Sequence, residues 1–251
     1  MTEHVLVDRA QGLLTLRLNR PEKKNALTRA MYAALADALE QAQEDAELRA
    51  VLIRGDAQCF TAGNDLNDFL RAASSGLDDS VMRFMQALFE CRKPVVAAVA
   101  GPAVGIGTTL LLHCDLVYVS RDARLRMPFV NLGLCPEYGS SLLLPRLLGP
   151  VRAAQLLMLG EEFSGEQAAA WGIANEALDD GEATLARAEA MARRFLSLPP
   201  EALALTKRLM RDPDRETLRR VIRTEGEEFV RRLRSPEAFA AMSAFMQGKK
   251  A

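Results

Sequence analysis

The chain has 251 residues, of which 49 % are hydrophobic and 26 % are charged, a composition that excludes disordered, collagen-like and coiled-coil proteins. Its 32 basic and 33 acidic residues nearly cancel, with a formal net charge of −1. There is thus no excess positive charge to attract nucleic acid. The first ten residues carry neither the apolar segment of a secretory signal nor an arginine-rich transit peptide, so we expect a cytoplasmic protein.

The amino-terminal half alternates strand and helix patterns. Leucines alternate with polar residues over 14–18 and predict a half-buried strand. Thr28 is expected to be the N-cap of a helix whose apolar residues recur at four-residue spacing over 31–42. Residues 51–53 predict the next strand. A polar loop over 74–80 then precedes a helix predicted over 81–91.

Residues 94–112 are uncharged over nearly the length of a membrane span. Prolines and glycines interrupt this stretch, so we expect a buried strand over 95–99 and a helix over 107–114 instead of a membrane segment. Another strand is predicted over 116–119. Strands separated by helices, with fully apolar central runs, indicate an α/β fold with a mostly parallel sheet.

The carboxy-terminal part is predicted to be helical from about Gly165, with a helix over 182–197 and an arginine-rich amphipathic tail. The proline pair at 199 and 200 marks the best boundary. It divides the chain into a core domain, residues 1–197, and a helical region, residues 198–251. Since no long flexible linker separates them, we expect the tail to pack on the core or on another subunit.

The cysteines and histidines do not favour a metal site. The spacing of the cysteines matches neither a CxxC pair nor a dense disulfide framework, so we predict buried free thiols at 59, 91, 114 and 135. Histidine occurs only at positions 4 and 113, which is too few for a typical zinc site. Because His113 follows three leucines, we interpret it as a hydrogen-bonded core residue rather than a catalytic base.

Glycine-bearing loops follow three of the predicted strands, where ligand sites form in open α/β sheets. They are FTAGNDL at 60–66, GPAVGIG at 101–107 and PFVNLGLCPEYG at 128–139. The second loop does not fit a nucleotide site, because Leu110 takes the third glycine position and no Lys-Ser/Thr pair follows. Glycines can instead turn the chain so that backbone N–H groups face a ligand.

With these loops the sequence resembles the crotonase family, also called the enoyl-CoA hydratase/isomerase superfamily. The resemblance implies a fold of repeated ββα units with a C-terminal helical trimerisation region, and an acyl-CoA thioester as substrate. The matching segments occur in the family's order over nearly the whole chain. They are LNRP (18–21), NAL (25–27), FTAGNDL (60–66), KPVVAAVAGPAVGIG (93–107), CD (114–115), PFVNLGLCPEYGSS (128–141) and LPPEAL (198–203).

The resemblance also implies a set of site residues. The backbone N–H groups of Asn64 and Ile106 would bind the thioester oxygen, and one such donor is typically worth roughly 10²–10³ in rate. Lys24, together with Lys249 or Lys250, would supply cations for the CoA phosphates, and Asp65 could also serve as a loop cap. The implied substrate-binding residues are Lys24, Ala26, Ala62, Gly63, Asp65, Leu66, Gly105, Phe129 and Lys249.

The carboxylates distinguish between the reactions of the family. Hydratases of the family use two glutamates, but Thr109 and Phe129 stand at those positions here, which disfavours hydration. Glu137 stands where the family's 3-enoyl-CoA to 2-enoyl-CoA isomerases keep their single catalytic glutamate. One base is enough to take a proton from C2 and return it at C4. We therefore expect no cofactor other than the CoA that is part of the substrate.

Other functions remain open from the sequence. The protein could catalyse another reaction of the family, such as an atypical hydration or a decarboxylation, or it could bind acyl-CoA without catalysis. The apolar residues of the tail beyond Glu201 need a surface to cover them. Together with the resemblance, they lead us to expect a homotrimer or a hexamer.

Overall fold

The computed structural model describes residues 2–68 and 79–247. Most of the polar loop expected over 74–80, and both terminal lysines at 249 and 250, lie outside these residues. The strands in chain order are β1 (Val5–Ala10), β2 (Leu13–Leu18), β3 (Ala50–Arg54), β4 (Val95–Val99), β5 (Pro102–Val104), β6 (Leu116–Ser120), β7 (Arg124–Arg126), β8 (Phe163–Ser164) and β9 (Glu176–Leu178).

Helices cover the strands and form the carboxy-terminal part, and short 3-10 turns occur at Pro21–Lys23, Leu110–His113 and Val130–Leu132. The α-helices in chain order are α1 (Arg29–Glu44), α2 (Asp79–Phe89), α3 (Ile106–Thr109), α4 (Ser140–Leu148), α5 (Pro150–Met158), α6 (Gly165–Ala170), α7 (Gly181–Phe195), α8 (Pro200–Leu233) and α9 (Pro236–Met246).

The central sheet has the order β1-β2-β3-β4-β6-β9. Its first two strands form an antiparallel hairpin, and every later neighbour is parallel. The middle strand β4 is buried along its whole length, as expected for a parallel strand with helices on both faces. The α/β fold with a mostly parallel sheet is thereby confirmed.

A second, smaller sheet has the order β5-β7-β8 and was not predicted from the sequence. Its strands are only two or three residues long, too short for an alternating pattern to be recognised. The sequence also gave no prediction for β1 or β9. The helix predicted over 107–114 is in fact the short helix α3 followed by a 3-10 turn.

Other local predictions are confirmed. The Thr28 hydroxyl accepts a hydrogen bond from the Met31 N–H at 3.3 Å and so caps α1. The apolar residues predicted over 31–42 are buried. Residues 94–112 form β4, β5 and the start of the helical segment that follows, and no helix in the described ranges is long and apolar enough to cross a membrane.

The long helix α8 is fastened to the core by Asp115. This carboxylate accepts hydrogen bonds from Lys207 Nζ at 2.6 Å and from Arg211 Nη2 at 2.8 Å, both on α8. It also accepts the backbone N–H of Val95 at 2.8 Å, at the start of β4. Lys207 is only 9 % exposed, so its charge depends on this partner. The central strand and α8 are therefore connected through one carboxylate.

We expect Asp115→Ala to lower the free energy of unfolding by about 2–4 kcal/mol, because it leaves the Lys207 ammonium buried without its counterion. Urea unfolding at fixed protein concentration measures the change. Asp179→Ala is the matched control, since Asp179 pairs with Arg121 on the surface and such pairs contribute about 0–1 kcal/mol. A loss no larger for the first variant than for the control would contradict the role of Asp115.

Candidate active site

The first glycine loop, residues 60–66, is held on both sides by backbone hydrogen bonds. On one side the N–H of Leu27 donates to the Gly63 carbonyl at 2.8 Å. On the other side the N–H of Thr61 donates to the Pro102 carbonyl at 2.9 Å, and the N–H of Val104 donates to the Thr61 carbonyl at 3.0 Å. The loop is thus fixed between the NAL segment and β5.

The geometry of the NAL segment depends on Asn25, which is fully buried. Its Nδ2 donates to the carbonyls of Cys59 and Phe60 at 3.1 and 3.0 Å. Its own carbonyl accepts the Thr61 hydroxyl at 2.7 Å. Asn25 takes a left-handed conformation with φ +53°, which asparagine adopts more readily than most residues. Asn25 therefore holds the start of the first glycine loop through three hydrogen bonds to residues 59–61.

The first and second glycine loops approach so closely that side chains are excluded at two positions. A Cβ on Gly63 would lie 2.6 Å from the Val104 carbonyl oxygen, and the φ of +87° at Gly63 already disfavours other residues. A Cβ on Gly107 would lie 2.5 Å from Cγ2 of Thr61. These glycines allow the backbones of the two loops to pack against each other.

The two amides expected to bind the thioester oxygen are available for a ligand. Ile106 is the first residue of α3, where a helix leaves its N–H groups without an internal acceptor. Within residues 2–68 and 79–247, no acceptor takes the N–H of Ile106 or the N–H of Asn64. Asn64 also lines the cleft described next. The role of the pair as an oxyanion hole stays a prediction.

A largely apolar cleft lies between α1, α2 and α8, with about 860 Å³ of empty space including the open solvent at its mouth. Its lining residues come from those helices, from the first and third glycine loops and from short segments next to them. They are Leu27, Arg29, Tyr32, Asn64, Asp65, Asp68, Val81, Met82, Met85, Glu137, Tyr138, Ile222, Gly226, Phe229, Val230, Leu233 and Arg234.

Glu137 is anchored in this cleft by its neighbours in the chain. Its carbonyl accepts the Ser140 hydroxyl at 2.6 Å. The Tyr138 hydroxyl donates to the Met85 carbonyl at 2.7 Å, and the Tyr138 ring stacks on His113 with centroids 3.7 Å apart. The Nε2 of His113 donates to the Tyr138 carbonyl at 2.7 Å. The backbone at Glu137 and at the residues that directly follow it is therefore fixed.

The same contacts identify His113 as a core residue. Its side chain is 1 % exposed, and burial lowers the pKa of the imidazole to about 3. The ring stays neutral at physiological pH and supports Tyr138. This confirms the interpretation from the sequence. All four cysteines are likewise free thiols, buried at 59 and 91 and partly buried at 114 and 135.

The Glu137 carboxyl lies in an environment that favours its neutral form. It is only 5 % exposed, and Oε1 has no hydrogen-bond partner among the described residues. Burial, and next the nearby charge of Glu225, raise the pKa of Glu137 to about 8. A carboxyl with this pKa can both take up and release a proton near neutral pH, as general acid–base catalysis requires.

Tyr32 is a site residue that the sequence analysis missed. Its side chain is 1 % exposed and lines the cleft. The hydroxyl donates a hydrogen bond to Oδ1 of Asn64 at 2.5 Å and so orients a residue expected to bind the thioester oxygen. The only signal in the sequence was a tyrosine next to Met31 on the apolar face of α1, where it is indistinguishable from a core residue.

Asp65 lines the cleft and also caps its own loop. Its carboxylate accepts the N–H groups of Asn67 and Asp68 at 3.0 and 3.2 Å and Nη1 of Arg20 at 2.7 Å. Burial opposes ionisation, but the hydrogen bonds and the charge of Arg20 prevail and lower the pKa of Asp65. Since its oxygens are engaged, Asp65 is a poor proton acceptor.

The remaining expected substrate contacts lie around the loops. Lys24 is exposed, in a left-handed conformation with φ +50°. Leu66 packs on the main hydrophobic core. Gly105 is bound to β7, because its N–H donates to the Arg126 carbonyl at 2.8 Å. Ala26 and Ala62 are partly buried, and Lys249 lies outside the described residues.

The positions of the hydratase glutamates contain no carboxylate. Thr109 is fully buried, and its hydroxyl has no partner within the described residues. Phe129 is 4 % exposed, and its ring packs edge-on against Phe229 of α8 with centroids 6.4 Å apart. A side chain in this aromatic contact cannot activate a water molecule.

Comparison with known proteins finds one matching family model and several similar solved structures. The family model described as enoyl-CoA hydratase/isomerase matches residues 8–251. Among proteins of known structure, OdaA of Pseudomonas aeruginosa is 64 % identical with a TM-score of 0.96, over 98 % of this chain and 99 % of that one. An enoyl-CoA hydratase/isomerase from Pseudoalteromonas atlantica T6c is 40 % identical with a TM-score of 0.93, over 98 % of each chain.

Named relatives include both isomerases and a hydratase. The 1,2-epoxyphenylacetyl-CoA isomerase of Escherichia coli is 36 % identical over 98 % of this chain and 96 % of its own length. The 2,3-dehydroadipyl-CoA hydratase of the same organism is 31 % identical over 97 % and 95 %. Human enoyl-CoA delta isomerase 2 is 32 % identical over 98 % of this chain, which spans 64 % of the length of that relative.

The raised pKa of Glu137 predicts how Glu137→Gln alters stability. The folded protein holds this proton up to about pH 8, whereas the unfolded chain releases it near pH 4.3. The stability that the neutral carboxyl contributes is therefore present below about pH 4.3 and is lost as the pH rises to 8. The glutamine variant should gain about 1–3 kcal/mol over wild type at pH 8 and little at pH 4.5. Urea unfolding at both pH values measures this, and an equal difference at the two would contradict the assignment.

Proposed function

The chain belongs to the enoyl-CoA hydratase/isomerase family, and we propose that within this family it is an enoyl-CoA isomerase that converts a 3-enoyl-CoA into a 2-enoyl-CoA. One observation carries the proposal. Glu137 places in the cleft a carboxyl with a pKa of about 8 and with one oxygen that has no partner among the residues the structure describes, while Thr109 and Phe129 occupy the positions of the hydratase acids.

The reaction needs one base and one site for developing negative charge. The thioester oxygen accepts the N–H groups of Asn64 and Ile106, and ionised Glu137 takes a proton from C2. The electrons of that C–H bond form a dienolate whose charge on oxygen the two amides stabilise. The now neutral Glu137 returns the same proton to C4, so that the double bond ends between C2 and C3. Proton transfer alone completes this reaction.

The surroundings of Glu137 suit this sequence of steps. A pKa of about 8 makes the carboxylate a stronger base than an exposed glutamate, and it lets the neutral form hold the proton until C4 receives it. Apolar side chains of α2 and α8, among them Met82, Met85 and Phe229, line the cleft. They limit the access of water and so disfavour loss of the proton and addition of water to the product.

The positions of Glu137 and the two amides also define how acyl-CoA would bind. The proposed acyl group enters the apolar cleft, and the CoA part lies toward the NAL segment, where the exposed Lys24 can pair with a phosphate. Glu137 and the two amides then act on the carbons next to the thioester. The aromatic contact of Phe129 with Phe229 closes the side on which a hydratase would hold its water.

We expect purified protein to convert 3-hexenoyl-CoA to 2-hexenoyl-CoA, and Glu137→Gln to lower turnover by roughly 10²–10⁴, because the amide keeps the shape and loses the base. Absorbance of the conjugated thioester follows the reaction, and calorimetry with an unreactive acyl-CoA checks that binding persists. The matched control is Glu227→Gln, which removes the same charge from an exposed position on α8.

Two results would contradict the proposal. One is a Glu137→Gln variant that retains more than a tenth of the wild-type turnover, since the single-base mechanism would then be wrong. The other is hydration of crotonyl-CoA at a rate comparable to isomerisation, which would favour an atypical hydratase. Acyl-CoA binding with no reaction on either substrate would favour the non-catalytic alternative.

We also propose that the protein assembles as a homotrimer or hexamer. Exposed apolar side chains on α5, α8 and α9 support this, since Val151, Met210 and Phe239 are 83, 79 and 64 % exposed and such residues in number mark an interaction surface. Sedimentation at micromolar concentration should give a species of three or six chains. A monomer near 27.5 kDa would contradict the assembly.

A further inference from the structure

Glu225 is a buried carboxylate that the mechanism above does not use. It lies on α8 and is 8 % exposed. One of its oxygens accepts the backbone N–H of Gly139 at 2.5 Å, and the other accepts that of Ser141 at 2.9 Å. These amides begin α4, two and four residues after the residue expected to be the catalytic base. A buried carboxylate with both oxygens bound to the backbone holds that backbone in place.

Within the described residues, no other side chain caps the helix α4 at this end. Its N-cap residue is Gly139, which has no side chain to accept the first amides. A carboxylate at a helix N-terminus satisfies these amides and is favoured by the helix dipole. Glu225 supplies this cap from a helix that is 84 residues further along the chain, so the cap connects α8 to the loop that carries Glu137.

The turn itself needs external support. Tyr138 and Gly139 have φ values of +57° and +76°, and a left-handed conformation is unfavourable for tyrosine. The helix α8 packs tightly against the turn, because a Cβ on Gly139 would collide with the side chain of Leu218 and lie 3.4 Å from that of Ile222. Glu225 adds a directed pair of hydrogen bonds to this packing.

We propose that Glu225 is a positioning residue for Glu137: it fixes the turn at Tyr138 and Gly139 from α8 and so sets both the direction and the charge environment of the Glu137 carboxylate. The inference rests on the proposed function for its effect on turnover. It does not rest on that function for its effect on the Glu137 side chain, which can be measured without a reaction.

The electrostatic part of the proposal depends on which charged groups lie near Glu137. Apart from burial, the negative charge of Glu225 is the cause that raises the pKa of Glu137 within the described structure. The residues of α2 that line the cleft beside it are apolar. Among the described residues, the other ionisable groups that line the cleft come from α1, the first glycine loop and the residue pair after it, the third glycine loop and the residue after α8. They are Arg29, Tyr32, Asp65, Asp68, Tyr138 and Arg234.

Two substitutions separate position from charge. Glu225→Gln removes the charge and keeps one acceptor oxygen, so the pKa of Glu137 should fall and the acid limb of the kcat/KM profile should move to lower pH. Glu225→Asp keeps the charge on a shorter side chain that cannot reach both amides. It should lower kcat about tenfold through misplacement of Glu137, with KM nearly unchanged. Glu227→Gln is the control for charge on α8.

The experiment uses full-length protein with two readouts for each variant. The first is the titration of the Glu137 carboxyl by 13C NMR on protein labelled at glutamate Cδ, with the signal assigned by its loss in Glu137→Gln. The second is the pH profile of 3-hexenoyl-CoA isomerisation. We expect the Glu137 titration to move to lower pH in Glu225→Gln and to stay at the wild-type value in Glu227→Gln.

The outcomes distinguish this inference from the proposed function. If the Glu137 titration is the same in Glu225→Gln and Glu227→Gln, and Glu225→Asp turns over at the wild-type rate, the role of Glu225 is wrong although the enzyme is an isomerase. If the titration moves as expected and wild type shows no isomerisation, the proposed function fails and the positioning of Glu137 stands. Should Glu225→Gln not fold, as judged by circular dichroism, a wild-type kcat for Glu225→Asp would overturn the proposal and a tenfold loss would support it.

Discussion

The backbone contact between the first glycine loop and β5 is the constraint on which the site depends. The two loops can pack this closely because Gly63 and Gly107 have no Cβ. The proposed binding of one thioester oxygen by the amides of Asn64 and Ile106 requires this close packing. The hydrogen bonds of Thr61 with residues 102 and 104 fix the distance. The NAL segment contacts the first glycine loop on one side, and β5 of the second, smaller sheet contacts it on the other.

The third glycine loop has a different role, because it holds a carboxyl in a largely apolar cleft. Burying Glu137 costs stability when it is ionised, and the surrounding structure tolerates the cost because the loop is anchored elsewhere. His113, Tyr138 and Glu225 make those anchoring contacts. The result is a carboxyl that lines the cleft, has a pKa of about 8 and is held in place by these contacts.

The helix α8 links these two requirements. Near its start it is fastened to the central sheet through Lys207 and Asp115, and further along it caps α4 and lines the cleft with Ile222 and Phe229. The helical tail is therefore part of the site of its own chain. The sequence pattern had left open whether it would pack on the core or on another subunit, and the first of these is what the described residues of α8 show.

The sequence by itself determined the α/β fold, the cap at Thr28 and the buried strand β4, because local patterns of polarity and capping encode them. Its resemblance to the crotonase family, carried by motifs that are contiguous in the chain, also implied Glu137, Asn64 and Ile106 as candidate residues. It could not give β5, β7 and β8, which are too short to have a pattern, nor the hydrogen bond of Tyr32 to Asn64. Only the tertiary structure decided that Glu225 would meet Gly139 and Ser141, since their contact spans more than 80 residues. The raised pKa of Glu137 has the same origin, because burial and the approach of a second carboxylate exist only after the chain has folded.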